Sequence, residues 1–282
     1  MFVVLLLVAM FAYTGLWPPL VVVESNSMMH GDDNTSHVGA IDTGDLVLVK
    51  KVTKPSDIAT YADGLSNGHK TYGDYGDVVV YKKFGSDVGT PIIHRAMIYL
   101  EANADGQSYR SESLRDAPPS AWSLTVENDT WDHITGRIIL NDVGYTHLPI
   151  GIDVGSILTR AAFAGTAPVN VFVTKGDHNT DTDLTYWGPV EFGWVVGKAR
   201  GEIPWFGLLK LWSTDSLGAA APPNSVRDLW ISIILIVVTP IAVDLALTIR
   251  ERRSERRRKT VSARKWTEEK DPAISDEKSE KG

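Results

Sequence analysis

The stretch Pro91–Leu100, PIIHRAMIYL, has the composition of a buried β-strand with a single histidine, His94, inside an apolar run. Other short segments are similarly rich in Val and Ile, and Gly, Asp or Pro bounds most of them. Helical periodicity is weak between these segments, although Ile157–Phe163 is expected to form a short helix. The sequence therefore predicts a mainly β body. The further predicted strands are Asp45–Val52, Asp77–Phe84, Pro168–Gly176 and Phe192–Ile203.

Composition excludes several classes of function. The chain of 282 residues contains no cysteine, so disulfides, thiol nucleophiles and thiolate metal sites are ruled out. A net charge of −7 argues against general nucleic-acid binding. We expect no cofactor and no metal, because the one flexible group of potential ligands fits no rigid site. Those residues are His30, Asp32, Asp33 and His37.

Two apolar segments bracket the body. Met1–Val23 carries no charged side chain and predicts a transmembrane anchor, although Pro18 and Pro19 interrupt it. The alternative is a cleavable signal peptide, but no basic region precedes the apolar run. Leu229–Ile249 is long enough to span a bilayer and tolerates Pro240 if the helix kinks.

Charge is distributed unevenly along the chain. Residues 24–225 contain 25 acidic and 15 basic side chains, a net of −10, whereas Arg250–Lys265 contains nine Lys or Arg against two Glu. A basic cluster directly after an apolar span marks the cytoplasmic side. With two spans, the sequence predicts a multi-pass cell-membrane protein with both termini in the cytoplasm and the body outside.

These patterns predict four regions. Residues 1–23 are the N-terminal anchor, and residues 24–212 are an extracytoplasmic β-rich domain in which residues 103–167 form an inserted accessory subdomain. Residues 226–250 are the C-terminal transmembrane helix, and residues 251–282 are a basic, disordered cytoplasmic tail. Ile203–Trp212, IPWFGLLKLW, fits a segment lying on the membrane interface and, equally, the end of a core strand.

Without cysteine, any chemistry depends on hydroxyls, histidines and carboxylates. Ser25 and Ser27 are two residues apart, so an extended strand would place both on one face, as nucleophile and oxyanion donor. His94 has the fixed geometry that a general base needs, or it is a satisfied core histidine. The segment Lys175–Asp183, KGDHNTDTD, is either a solvated acidic turn or a rigid turn whose carboxylate orients a histidine.

The order of these blocks resembles type I signal peptidase, and specifically its archaeal and endoplasmic-reticulum branch, which uses Ser, His and Asp. The order is an apolar span, S-x-S-M, GDLVLV, GDVVVY, PIIHR, TKGDxN with a later Asp, VVGK and IPWFG. The matching blocks cover roughly residues 21–29, 44–52, 76–100 and 169–207. The resemblance implies a signal-peptidase-like catalytic β-sheet domain.

The resemblance also implies a role for each matching residue. Ser27 matches the nucleophile, His94 the general base and Asp183 the third member of the triad. Ser25 matches the residue that helps to form the oxyanion hole in the bacterial branch. In the supporting turn, Gly176, Asp177 and Asn179 match the family pattern, and Asp177 is expected to be structural.

The chain departs from the family pattern at several positions. His30 stands where the family has Pro, His178 stands where it has Asn, and the segments after Met28 and after His94 are longer than usual. Asp181 is an additional carboxylate, and it leaves open whether Asp181 or Asp183 completes the triad.

The implied function is that of a membrane-bound serine endopeptidase that removes signal peptides from exported preproteins after small residues. Its implied partners are these preproteins and the lipid bilayer, with membrane subunits as further candidates. The alternative is a catalytically inactive relative that serves as a membrane-tethered binding or scaffold domain.

Overall fold

The computed structural model describes residues 1–32, 34–214 and 221–270. The chain divides into two compact units, Met1–Leu229 and Trp230–Gly282. The described strands are β1 Leu20–Val22, β2 Leu46–Lys50, β3 Lys70–Thr71, β4 Asp74–Tyr75, β5 Val78–Tyr81, β6 Ile92–Ala102, β7 Tyr109–Arg110, β8 Trp122–Leu124, β9 Arg137–Val143, β10 Leu148–Asp153, β11 Val171–Lys175, β12 Val190–Glu191 and β13 Val195–Ile203. The α-helices are α1 Phe2–Thr14, α2 Tyr61–Asn67, α3 Glu112–Asp116, α4 Val154–Ala164, α5 Leu208–Thr214 and α6 Pro223–Lys270.

The first unit is built on one antiparallel sheet with the strand order β1-β2-β13-β5-β6-β11-β12, and β7 pairs with the far end of β6. The five predicted strands are present as β2, β5, β6, β11 and β13, which confirms a mainly β body. The last strand in the chain, β13, lies between β2 and β5. It therefore joins the part of the sheet next to β1 to the part that contains β6.

Strand β6 is buried over its central residues, Ile93 to Ile98, and this explains its nearly continuous apolar sequence. Apolar side chains cover both faces of a strand in such a position, so the alternation of polar and apolar residues is lost. The polar residues that remain, His94 and Arg95, are 6% and 1% exposed. Buried polar groups of this kind require partners.

The inserted region, residues 103–167, contains the separate three-stranded sheet β10-β9-β8 and the helices α3 and α4. It does not have a core of its own. Ile138 and Ile152 from this small sheet belong to the same buried apolar cluster as Ile98 of β6 and Val171 of β11. The predicted accessory subdomain is therefore part of the main body, because its apolar face packs into the common core.

The structure does not support the predicted N-terminal transmembrane anchor over residues 1–23, where only a short apolar helix is described. Helix α1 has 13 residues and ends at Gly15, which adopts a left-handed conformation with φ 67°. At 1.5 Å per residue such a helix measures about 20 Å, short of the ~30 Å hydrocarbon core of a bilayer. The residues that follow turn into the body, where β1 pairs with β2.

Among the described residues, one helix, α6, is long and apolar enough to cross a membrane, by length and composition. It contains the predicted span 226–250. Residues 251–270 continue the same helix, so the tail is helical there instead of disordered as we expected, and residues 271–282 lie outside the described residues.

The segment Ile203–Trp212 has both buried and exposed apolar side chains. It contains the end of β13 and the start of α5. Leu208 and Leu211 are fully buried, whereas Leu209 is 45% and Trp212 38% exposed.

Candidate active site

Ser27 lies in a turn immediately after β1. The turn is held on both sides by side chains buried in the core, Val23 before it and Met28 and Met29 after it, each 1% exposed. Ser25 and Ser27 are therefore not on an extended strand, contrary to our expectation. The turn nevertheless brings the two hydroxyls together, with 3.2 Å between their Oγ atoms.

His94 projects from β6 and bridges Ser27 and Asp183. Its Nε2 lies 3.0 Å from Ser27 Oγ, and its Nδ1 lies 2.7 Å from Asp183 Oδ2. The Asp183 side chain is 1% exposed. An ionised carboxylate only accepts hydrogen bonds, so Nδ1 carries the proton and Nε2 presents its lone pair to the Ser27 hydroxyl. The serine, the histidine and the aspartate thus form a continuous hydrogen-bonded chain.

Asp183 is fixed by hydroxyls from the two strands on either side of β6. Tyr81 of β5 donates to Oδ2 at 2.9 Å, and Thr174 of β11 donates to the same atom at 2.5 Å. Burial, reinforced by the Asp183 carboxylate, raises the pKa of Tyr81 well above its ordinary value, so the phenol remains a donor. The other oxygen, Oδ1, is buried without a hydrogen-bond partner among the described residues. One carboxylate oxygen therefore receives all the donors, including the imidazole.

Gly176 lies against Ser27 and His94. A Cβ built on Gly176 would lie 2.5 Å from the Ser27 carbonyl oxygen, 2.9 Å from His94 Nε2 and 2.8 Å from Asn179 Nδ2. The turn is closed by the backbone N–H of Asn179, which donates to the Gly176 carbonyl, while the N–H of His178 donates to the Ser27 carbonyl at 2.9 Å. The absence of a side chain at Gly176 is what allows this turn to approach the serine and the histidine.

Asp177 does not contact His94 and instead joins a buried ion pair. Arg95 Nε and Nη2 donate to its two oxygens at 2.8 and 2.6 Å, and His30 Nε2 lies 2.9 Å from Oδ2. Burial alone would raise the pKa of Asp177, but the charge and hydrogen bonds of Arg95, aided by His30, hold it well below its usual range. Arg95 also donates to backbone carbonyls between Thr71 and Gly76, so Asp177 ties the turn after β11 to that loop.

Asp181, the competing candidate for the triad, is exposed and accepts a hydrogen bond from Thr180 at 3.2 Å. The structure brings Asp183, and not Asp181, to His94. Two of the suggested metal ligands have other partners, since His30 pairs with Asp177 and the backbone N–H of Asn34 donates to Asp32, while Asp33 lies outside the described residues. Among the described residues, no three His, Asp or Glu side chains are grouped to hold a metal ion.

Sequence reasoning missed Tyr81, Thr174, Arg95 and the pairing of His30. The available signal was a polar side chain inside an apolar strand, since such a group must find a partner in the core. Tyr81 ends the run VVVY of β5, and Arg95 directly follows His94. The partner of each residue depends on strand register, which the sequence does not show.

A cleft of about 370 Å³ opens over Ser27 and His94. Residues Val21–Val22 of β1 lie on one side and the start of β6 on the other, with Tyr186 and Trp187 also lining the cleft. Pairing between β6 and β11 ends at Arg95 and Lys175, so Ile92–His94 have no strand partner on that side among the described residues. The cleft therefore offers an unpaired strand edge next to the serine.

A second cavity, about 450 Å³, is larger than the cleft and is lined by residues that include Asp63, Glu101, Glu112 and Asp116. Neither Ser27 nor His94 lines it.

No protein-family model matches the sequence, and no curated protein is significantly similar to it.

Proposed function

We propose that this chain is a membrane-bound serine endopeptidase of the type I signal peptidase kind that uses Ser, His and Asp. The observation that carries the proposal is the hydrogen-bonded chain from Ser27 Oγ through His94 to Asp183, at 3.0 and 2.7 Å. Ser27 and His94 are 67 positions apart in the sequence, and His94 and Asp183 are 89 positions apart. The fold brings the three side chains together in the order that acyl transfer requires. They do so next to a cleft of about 370 Å³.

In the proposed reaction Ser27 Oγ attacks the scissile carbonyl carbon while His94 Nε2 accepts the hydroxyl proton. The carbonyl π electrons move to oxygen, and a tetrahedral intermediate forms. His94 then donates the proton to the leaving amine, the C–N bond breaks, and water hydrolyses the acyl-serine by the same steps. Asp183 holds the tautomer that exposes Nε2 and stabilises the imidazolium, while Tyr81 and Thr174 keep the carboxylate in place.

The developing oxyanion would be bound by the Ser27 backbone N–H and the Ser25 hydroxyl. The distance of 3.2 Å between the two Oγ atoms places Ser25 beside the atom that attacks. One oxyanion-hole donor is typically worth about 2.7–4 kcal/mol of transition-state stabilisation. The exposed position of Ser25 leaves its hydroxyl free to turn toward the substrate.

The substrate would bind as an extended strand along the unpaired edge of β6 at Ile92 and Ile93. Main-chain hydrogen bonds to a strand edge give affinity without sequence selection, and side-chain subsites add specificity. The aliphatic walls from Val21, Val22 and Ile92 suit small apolar residues before the cut. This is the expected pattern for a signal peptide of an exported preprotein.

The same proposal places the catalytic unit on the extracytoplasmic side of the cell membrane. The apolar part of α6 would span the bilayer, and the nine basic residues within Arg250–Lys265 would lie in the cytoplasm. Such a span keeps the peptidase at the surface where signal peptides leave the bilayer. Partner subunits in the membrane remain compatible with this arrangement.

Cleavage of a reporter preprotein in membranes tests the proposal. Membranes with the full-length chain should convert the reporter to its mature form, and mass spectrometry should locate the cut after a small residue. Ser27→Ala should abolish conversion, whereas Ser123→Ala, an exposed serine of β8, should not. Equal conversion by Ser27→Ala would refute the proposed nucleophile, and no conversion by wild-type membranes would favour the inactive binding or scaffold protein.

A further inference from the structure

Glu24 is a carboxylate in the wall of the cleft, three residues before Ser27. Besides Asp183, it is the only acidic side chain among the described residues that line the cleft. Its side chain is 28% exposed, whereas Asp183 is 1% exposed and already receives several donors. Glu24 is therefore the carboxylate that a bound peptide can reach.

The Glu24 carboxylate is held in place from both sides. Thr90 Oγ1 donates to Oε2 at 3.1 Å, and Lys210 Nζ of α5 lies 3.7 Å from Oε1. The Lys210 side chain is 56% exposed, and a pair with this separation and exposure contributes little. The lysine thus leaves the carboxylate able to interact with a second cation.

The apolar walls of the cleft strengthen the electrostatic interactions of the Glu24 carboxylate. Val21, Val22, Pro91 and Ile92 supply apolar walls, which exclude water and reduce the screening of a nearby charge. Ser25, Ser27 and His94 line the same cleft. A charged substrate residue close to the scissile bond would therefore interact more strongly with Glu24 than with a carboxylate on an open surface.

We infer that Glu24 forms a cation subsite in the cleft, which favours Lys or Arg and disfavours Asp or Glu at one substrate position close to the scissile bond. This inference rests on the proposed peptidase function and adds a charge preference to it. The position is the one at which a substrate side chain comes nearest to Glu24, and a peptide scan identifies it.

The test uses the full-length protein in detergent and one parent peptide with small residues before the cut. Lys, Gln or Glu replaces single residues from four positions before the cut to two positions after it, and kcat/KM is measured for each peptide. At one position the wild type should cleave the Lys peptide about fivefold to tenfold faster than the Glu peptide at low salt. The ratio should fall toward one at high salt, because salt screens the charges.

The variants compare this ratio within each enzyme, so a general change in activity cancels. Glu24→Gln keeps the shape of the side chain and an acceptor for Thr90, and it should bring the ratio close to one. Lys210→Met should raise the ratio only slightly, because the exposed Lys210 competes weakly for the Glu24 carboxylate. Glu101→Gln is the matched control, since Glu101 is 30% exposed, pairs with Arg110 at 3.1 Å and lies outside the cleft.

The outcomes separate the two proposals. A wild-type enzyme that cleaves the neutral peptides with no charge preference, or a preference that survives in Glu24→Gln, overturns the cation subsite and leaves the peptidase standing. A wild-type enzyme that cleaves none of the peptides overturns both. A preference lost in Glu24→Gln and kept in Glu101→Gln establishes the subsite.

Discussion

Asp183 contacts His94 through a single oxygen, Oδ2, which lies 2.7 Å from Nδ1 and also accepts hydrogen bonds from Tyr81 and Thr174. The imidazole is thus held by a carboxylate that is itself held by the two strands on either side of β6. The predictions below follow from this arrangement and from the contacts around it.

The first prediction distinguishes the two candidate aspartates. Asp183→Asn should lower turnover by about 10⁴, because an amide can favour the wrong imidazole tautomer and cannot stabilise the imidazolium. Asp181→Asn should change turnover little, since Asp181 is exposed and contacts Thr180. Turnover of the reporter and thermal stability should be measured together for both variants. A stable but inactive Asp181→Asn would show that the geometry assigns the wrong carboxylate.

The second prediction concerns the close approach at Gly176. Gly176→Ala should lower turnover by on the order of 10²-fold, because the new methyl group displaces Ser27 or His94, and misplacement by about 1 Å has an effect of that size. Stability should fall by about 1–3 kcal/mol, as for other overpacked sites.

Gly193→Ala is the matched control, since a Cβ at Gly193 meets no atom within 4 Å. It should leave both turnover and melting temperature near the wild-type values. A Gly176→Ala variant with wild-type turnover would indicate that the turn after β11 can move away from the catalytic pair without consequence.

The third prediction concerns folding stability at acidic pH. The pKa of Asp177 is below its unfolded value, so the stabilisation from this carboxylate is present above about pH 4 and is lost as the pH falls through and below that value. Asp177→Asn should be less stable at pH 7 by about 3–5 kcal/mol, because Arg95 is left buried and unpaired. The difference in melting temperature between wild type and variant should shrink between pH 5 and pH 2.5. A constant difference over that range would contradict the proposed ionisation.

The fourth prediction concerns the dependence of folding stability on pH above about pH 4. Burial, with help from the carboxylates of Asp42 and Glu202, raises the pKa of Asp45 to about 7. Between about pH 4 and pH 7, Asp45 keeps its proton in the folded protein but loses it in the unfolded chain. The contribution of Asp45 to folding stability therefore falls as the pH rises over this range.

Asp45→Asn removes this titration while keeping an acceptor for the N–H of Trp205. The wild-type melting temperature should decline between pH 5 and pH 8, and the decline should be smaller in Asp45→Asn. Asp177 loses its contribution to stability below about pH 4 and Asp45 loses its contribution above that value, so the stability that these two groups contribute together is greatest near pH 4. Parallel profiles for the wild type and Asp45→Asn would refute the assignment.

The fifth prediction concerns sidedness. The chain has no cysteine, so a single introduced cysteine is a specific label site. In sealed right-side-out vesicles, an impermeant maleimide should label Gln107→Cys directly and Thr260→Cys only after permeabilisation. Both positions are exposed. The reverse pattern would contradict the topology that the basic cluster predicts.

Much of the sheet could be predicted from sequence because each strand carries its own local signal. The Val- and Ile-rich runs of β5, β6 and β11 are bounded by turn residues, and these strands appear where expected. The serine turn was different. The spacing of Ser25 and Ser27 suggested an extended strand, but the burial of Val23 and Met28 on either side of the turn determines their geometry.

The N-terminal segment shows a limit of predicting structure from composition. Residues 1–23 are uniformly apolar, and composition alone does not distinguish a spanning helix from a short helix followed by an edge strand. The distinction depends on Gly15, which ends α1, and on long-range pairing of β1 with β2. The contacts of Arg95 and Tyr81 could not be predicted from the sequence either, because they depend on which strands become neighbours.

The position of β13 between β2 and β5 has a consequence for how the protein is made. Ser27 is attached to β1 at one end of the sheet, whereas His94 lies on β6 beyond β13, and Asp183 precedes β13 by about a dozen residues. A nascent chain therefore lacks the strand that joins the serine half to the histidine half until ribosomes have synthesised Val195–Ile203. The site formed by Ser27, His94 and Asp183 is therefore assembled only after Val195–Ile203 has joined the sheet, and under the proposed function a translation product that stops before this strand would be inactive.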